Sequence, residues 1–146
     1  MYVEQMLTRA RERLATISAD APVRAAAELM AKPHTDLLVV CDHAVMVGVV
    51  TKTDIVRQIA RCGGGACVAR IDTIMTRDIV SSRPADVLHD IWSVMKARGL
   101  QRIPVINESG VPIGIVYGRD ALQNLLGEVE NEGELLRDYI GGVGYR

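Results

Sequence analysis

The run Gly48-Val49-Val50-Thr51-Lys52-Thr53-Asp54 ends an apolar stretch and opens a polar one. Upstream, Leu37 to Cys41 and Val45 to Val50 are apolar segments separated by Asp42-His43, the pattern of two paired β-strands. Downstream, Ile55-Val56-Arg57-Gln58-Ile59-Ala60 reads as helix. Two hydroxyls, an ammonium and a carboxylate therefore stand where a strand hands over to a helix N-terminus. Backbone N–H groups there lack intrahelical partners and the helix dipole is positive, so anions are favoured. A hydroxyl and a cation can contact phosphate, and a carboxylate can accept from ribose hydroxyls. The same residues also suit a plain helix N-cap on Thr53 or Asp54.

The frame recurs. Gly114-Ile115-Val116-Tyr117-Gly118-Arg119-Asp120 repeats it 66 positions later, and Val105-Ile106 answers Val39-Val40 at the same offset. Leu29-Met30 answers Val94-Met95 at an offset of 65, so one residue is inserted before the second strand pair. A pattern that returns at a fixed period marks an internal repeat, and neither half can bury its own sheet face alone.

The elements around the two motifs follow from spacing. Glu4 to Leu14 has an apolar stripe of Met6, Leu7, Ala10 and Leu14 and is expected to be helical. Thr16-Ile17-Ser18 is a short extended entry. Pro22 opens a helix with Val23, Ala26, Ala27 and Met30 inward, and Lys32-Pro33-His34-Thr35 breaks it. In the second half, Ile79 to Ser82 is expected to be a strand. Pro84 to Arg98 is expected to be a helix with Val87, Leu88, Ile91, Val94 and Met95 inward, ended by Gly99. Ile103 to Ile106 and Val111 to Tyr117 are strands joined by a turn at Asn107-Glu108-Ser109-Gly110, and a helix follows from Ala121 to Leu126. Each half thus reads strand–helix–strand–strand–helix.

Composition excludes several classes. The chain has 146 residues, 49% hydrophobic and 24% charged, with a formal net charge of −1. That balance gives no global reason to expect nucleic acid or an anionic membrane as partner. With no Phe, one Trp and four Tyr, a stacking platform for single-stranded nucleic acid is short of rings. No apolar run is long enough to span a bilayer, and Met1 to Leu14 is too charged for a signal-peptide core, so a cytoplasmic location is expected. Three cysteines, an odd number, fit a reducing compartment. Cys62 and Cys67 flank three glycines, yet no second pair completes a zinc site, so no metal is expected. His34, His43 and His89 show no metal-like spacing and receive no role. No nucleophile–base constellation, acidic pair or Walker loop is present, so no enzymatic activity is expected.

In combination, the doubled Gly-apolar-apolar-Thr/Ser-x-x-Asp pattern after a strand pair, with Met75-Thr76 leading the second half, resembles a CBS (cystathionine β-synthase) domain pair, or Bateman module, of the stand-alone bacterial type. The resemblance covers about residues 15 to 126. It implies an α/β fold of two pseudo-symmetric β-α-β-β-α repeats with clefts between them. The expected organisation is an N-terminal helix over 1–14, a first repeat over 15–60, a Gly-rich linker over 61–70, a second repeat over 71–126 and a tail over 127–146. The resemblance further implies a regulatory module that takes AMP, ADP, ATP or a related adenosyl ligand such as NAD or S-adenosylmethionine, with no required cofactor. With 146 residues used up by the pair and short extensions, its output would pass through a separate effector protein. The alternative is a structural or protein-interaction module whose clefts stay empty.

Site residues follow from the same resemblance. Thr51 is expected to contact phosphate or ribose, with Lys52 beside it, and Asp54 to hold the ribose hydroxyls. In the second repeat Asp120 answers Asp54, but Tyr117 stands at the Thr/Ser position, narrowing the site or stacking on a base. The residues before the inner strands, Thr35-Asp36 and Gln101-Arg102, are expected to face the clefts. Arg102 suits a phosphate, with Arg119 nearby, while Asp36 would repel one. A homodimer is expected through Ile55, Ile59, Leu122 and Leu125.

Overall fold

The computed structural model describes residues 1–62 and 68–128. The core of the glycine-rich linker and most of the tail lie outside these, as does any expectation placed on them. After a 3-10 turn at Val3–Met6, the chain runs through helix α1 (Leu7–Arg13), strand β1 (Thr16–Ser18), helix α2 (Val23–Met30), strands β2 (Leu37–Asp42) and β3 (Val45–Thr51), and helix α3 (Lys52–Arg61). A 3-10 turn at Ile71–Thr73 precedes helix α4 (Leu88–Arg98), strands β4 (Arg102–Ile106) and β5 (Pro112–Tyr117), and helix α5, which covers 118–128. The fold is therefore α/β with two repeats, β-α-β-β-α in the first and α-β-β-α in the second, whose leading strand is reduced to a bridge.

In the first repeat β1 pairs parallel with β2, and β2 pairs antiparallel with β3. The β2–β3 turn places His43 and Ala44 at φ 50° and 68°. Positive φ at both central residues is the requirement of the tight hairpin turn whose twist matches paired strands. In the second repeat β4 and β5 form the hairpin alone. The strand expected over Ile79–Ser82 is reduced to one parallel bridge from Ser82 to Val105. The helix expected from Pro84 starts instead at Leu88. The chain before it folds into a turn in which the Asp86 carboxylate accepts from the Arg83 N–H at 2.8 Å. Val87 is consequently the N-cap and exposed, while Leu88, Ile91 and Met95 point inward. Gly99 ends α4 at φ 65°, and the Leu100 N–H reaches back to the Met95 carbonyl at 2.9 Å.

Strand alternation divides the core. Leu38, Val40 and Val50 pack with Val23, Ala26, Met30 and Ile55 in the first repeat. Ile103, Val105 and Val116 pack with Leu88, Ile91 and Met95 in the second. The residues between them in sequence, Leu37, Val39, Val49, Ile115 and Tyr117, form a third cluster where the two hairpins meet. Both faces of each hairpin are therefore buried, and continuous apolar strands such as Leu37 to Val40 are the consequence.

The segments leading into the repeats cross over. Val3 and Met6 belong to the core of the second repeat, and α1 packs on β5. Ile71, Ile74 and Met75 pack into the core of the first, where Thr76 and Val49 exchange backbone hydrogen bonds at 2.9 and 3.0 Å. The repeated glycines sit at these crossings. A Cβ on Gly48 would stand 2.5 Å from the Met75 sulfur, and one on Gly114 would stand 2.8 Å from the Ala10 Cβ. Each strand admits its crossing segment because it carries no side chain there.

Candidate functional site

The strand-to-helix junctions carry the two motifs, and they are built differently. At the first, Thr51 rather than Thr53 or Asp54 is the N-cap of α3. Its hydroxyl accepts from the Asp54 N–H at 3.4 Å, and the Asp54 Oδ2 accepts from the Thr51 N–H at 3.0 Å and the Thr51 hydroxyl at 3.1 Å. This is a reciprocal capping box. Oδ1 of Asp54 has no hydrogen bond among the described residues. Asp54 borders a small cleft of about 210 Å³ with Arg57, Gln58, Arg61 and Thr73.

At the second junction Asp120 is 5% exposed and both its oxygens are taken. Arg13 Nε donates to Oδ2 and Arg13 Nη2 to Oδ1, each at 3.1 Å. The hydrogen bond that Arg13 donates to Asp120 raises the Arg13 pKa above its ordinary value, against an opposing effect of burial, so the guanidinium stays charged. Arg13 comes from α1, more than a hundred positions away in sequence. No local motif announces it; its signal was only a basic residue at the end of a helix.

A cavity of about 590 Å³ lies beside this second junction. Trp92, Met95, Leu100 and Leu122 give it apolar walls, and Tyr117 forms part of its floor. Lys96, Arg102 and Arg119 bring positive charge, and His34 and Asp36 reach in from the first repeat. Tyr117 is 6% exposed, and its hydroxyl donates to the His34 carbonyl at 3.1 Å. The guanidinium groups of Arg13, Arg102 and Arg119 lie 4.4, 4.9 and 6.0 Å from its ring centroid. Tyr117 thus anchors the hairpin through its hydroxyl and holds cations over its ring.

Asp36 and Arg102 occupy equivalent positions in the two repeats and meet where the repeats face each other. Arg102 Nη2 donates to Asp36 Oδ2 at 2.7 Å, and Lys52 Nζ lies 2.9 Å from Asp36 Oδ1. The Lys52 hydrogen bond, reinforced by Arg102, holds the Asp36 carboxyl below its ordinary pKa despite partial burial. The repulsion expected from Asp36 is therefore largely neutralised. Arg102 keeps a buried Nε–H with no acceptor among the described residues. A buried donor without a partner is costly.

Of the sequence-derived site residues, the structure gathers Arg102, Tyr117 and Arg119 at one cavity and ties Lys52 to it through Asp36. Thr51 and Asp54 lie apart at the first junction, and Asp120 lies behind Arg13. Trp92, Lys96 and His34 line the cavity from outside both motifs. Among the described residues, no group of three or more His, Cys, Asp or Glu side chains could hold a metal. None of their helices is long and apolar enough to cross a membrane.

Two strand-paired repeats, each with a polar strand-to-helix junction and each closed by the other's leading segment, define a tandem α/β module with ligand-sized clefts. The CBS domain family model matches twice, over residues 3–61 and 69–127. The chain belongs to the CBS domain family, as a tandem pair, and such pairs are regulatory modules. Among curated proteins it is 30% identical over 118 residues to a homoserine O-acetyltransferase of Methanococcoides burtonii, covering 80% of this chain. The chain spans only about a quarter of that relative's length, 23%. Among solved structures it superposes on the CBS-pair protein CBSX2 of Arabidopsis thaliana with a TM-score of 0.75 at 21% identity, covering 88% of this chain and 96% of that one. It also superposes on the CBS domain pair of protein MJ0100, solved with 5′-methylthioadenosine and S-adenosyl-L-methionine, with a TM-score of 0.70 at 21% identity, covering 88% and 97%.

Proposed function

We propose that this chain is a ligand-sensing regulatory module that binds an adenine nucleotide or related adenosyl ligand between its repeats and passes occupancy to an effector protein. The observation that carries this reading is the 590 Å³ cavity, in which apolar and aromatic walls meet Lys96, Arg102 and Arg119. Ligand sites of this size are typically apolar with a few convergent polar groups. A purine suits the Trp92 and Leu122 side, and phosphates suit the cations. The adenosyl ligands of the MJ0100 pair agree with this chemistry.

Trp92 provides the test, because it is the single tryptophan of the chain and lines the cavity. AMP, ADP and ATP are titrated while Trp92 fluorescence is followed, and melting is measured in parallel. Expected is a saturable fluorescence change with a stabilisation of about 2.7 kcal/mol at 100 times Kd. The competing reading, a ligand-free interaction module, draws on the capping box of Thr51 with Asp54 and the pairing of Asp120 with Arg13, which already engage both motif acids. It is favoured if no adenosyl ligand shifts either signal.

The same module is proposed to act as a homodimer. Ile55, assigned to the contact by sequence, is instead core, and Leu125 packs against the second core. Val56 and Ile59 on α3 and Leu122 and Leu126 on α5 are exposed and leave an apolar face on each helix. A two-fold contact through such faces would bury them.

A further inference from the structure

Asp36 and Arg102 are 66 positions apart, the period of the repeat, so they fill the same place in the two halves. Their charges are opposite, and packing of the halves turns the equivalence into an ion pair. Arg102 Nη2 donates to Asp36 Oδ2 at 2.7 Å, and Lys52, at the start of α3, holds Oδ1 at 2.9 Å. The side chains of Asp36 and Arg102 are 33% and 24% exposed, and both line the 590 Å³ cavity. The pair is therefore part of the wall a ligand meets, and among the described lining residues Asp36 alone is acidic. A phosphate reaching Arg102 has two ways to do so. It can displace the carboxylate, which then loses a hydrogen bond and a counter-charge. It can instead use the remaining donors of Arg102 and stand beside the carboxylate, where like charges a few ångströms apart repel. Both routes are costly for an anion, and an uncharged ligand takes neither.

We infer that Asp36 is a built-in competitor of the ligand's phosphate, which holds the affinity of this cavity for phosphorylated ligands below what its cations alone would give. The inference rests on the nucleotide reading above. Asp36 is thus a specificity residue that acts against the phosphate, whereas Lys96, Arg102 and Arg119 act for it. Lys52 strengthens the competitor by fixing its second oxygen. That hydrogen bond, with the charge of Arg102, lowers the Asp36 pKa against partial burial, so the carboxylate is ionised at neutral pH and the competition is present there. The competitor comes from the first repeat and its target from the second, so the selectivity belongs to the pair and to neither half alone.

The test compares AMP with adenosine, following the fluorescence of Trp92, which lines the cavity. Divalent metal ions are left out, so that none bridges carboxylate and phosphate. Asp36→Asn is nearly isosteric and keeps an acceptor for Arg102, and melting checks that it folds. The variant is expected to bind AMP about tenfold more tightly than wild type, with adenosine changed by less than about twofold. An AMP gain below about threefold, or a loss, overturns the inference while leaving the nucleotide reading intact. A gain shared equally by adenosine overturns it as well, because the effect is then not one of charge. If Asp36→Asn does not fold, carbon-13 NMR of the wild-type chain reads the Asp36 carboxyl directly. Saturating AMP is expected to move its resonance and adenosine to leave it in place; the same response to both ligands overturns the inference. If neither wild type nor variant binds either ligand, the nucleotide reading falls and the inference with it.

Discussion

Replacing Gly114 by alanine tests whether the crossing of α1 onto β5 holds the second repeat together. The new Cβ would meet the Ala10 Cβ at 2.8 Å, the Ala10 carbonyl carbon at 2.9 Å and its oxygen at 3.1 Å. Carbon atoms pack best at about 3.5–4.0 Å, so α1 must retreat by roughly 1 Å. Two of those three atoms are backbone, so a rotamer change cannot relieve the contact. Retreat loosens Val3, Met6 and Ala10, all buried, and moves Arg13 away from Asp120. Overpacking of this kind costs about 1–3 kcal/mol. For a chain of this size that corresponds to a fall in Tm of roughly 3–10 °C. At Gly48 the two closest atoms belong to the flexible Met75 side chain, so Gly48→Ala is expected to cost less. Thermal and urea unfolding of both variants measures the difference. Adding Ala10→Gly to Gly114→Ala removes one clashing atom, so the double variant should be more stable than the sum of the singles by about 0.5 kcal/mol or more. A Gly114→Ala protein as stable as wild type, or strict additivity with Ala10→Gly, would refute the close-packing argument.

Further outcomes are expected elsewhere. Arg102→Ala combined with Arg119→Ala should weaken ATP more than adenosine in Trp92 titrations, and added salt should reproduce part of the loss; equal weakening of both would show that the arginines shape the fold and do not read phosphate. Asp54→Ala should cost about 1 kcal/mol of stability through the capping box. Calorimetric titration with ATP should show it losing about 2–3 kcal/mol more binding than Asp120→Ala, because only Asp54 keeps an open oxygen; equal affinities would rule out the first junction as a ribose site. The lowered pKa of Asp36 means that its ion pairs stabilise the fold above the unfolded carboxylate pKa of about 3.9 and are lost as pH falls through the lower folded value. The stability difference between wild type and Asp36→Asn should therefore be constant at neutral pH and shrink only in that acid window; a difference that already declines near pH 6 would contradict the assignment. Val56→Glu with Leu126→Glu should convert a dimer to monomer by light scattering, and an unchanged mass would move the contact elsewhere.

The repeat, the strand pairs and the junctions are legible in the residues alone. The glycine and aspartate spacing, the apolar alternation and the turn residues are local signals, and local geometry obeys them. Gly99 ends its helix, and the hairpins turn where Asp42-His43 and Asn107-Gly110 stand. The sequence also singled out Arg102, Tyr117 and Arg119, because the repeat made their positions comparable with those of the first half. The pairing of the charges depends on packing in three dimensions. Opposite charges attract over a few ångströms of space, whatever their separation along the chain, and spatial distance is set by packing. By sequence Asp36 would repel phosphate, yet pseudo-symmetric packing sets it against Arg102 and Lys52. By sequence Asp120 is a candidate ribose acceptor, yet α1 crosses to the second repeat through the gap left by Gly114 and delivers Arg13 to it. The helix expected to begin at Pro84 begins at Leu88, because the preceding turn pairs Asp86 with Arg83 and bridges Val87 to Tyr2 at the far end of the chain. Each of these depends on partners brought together from distant segments, and no window of neighbouring residues contains them.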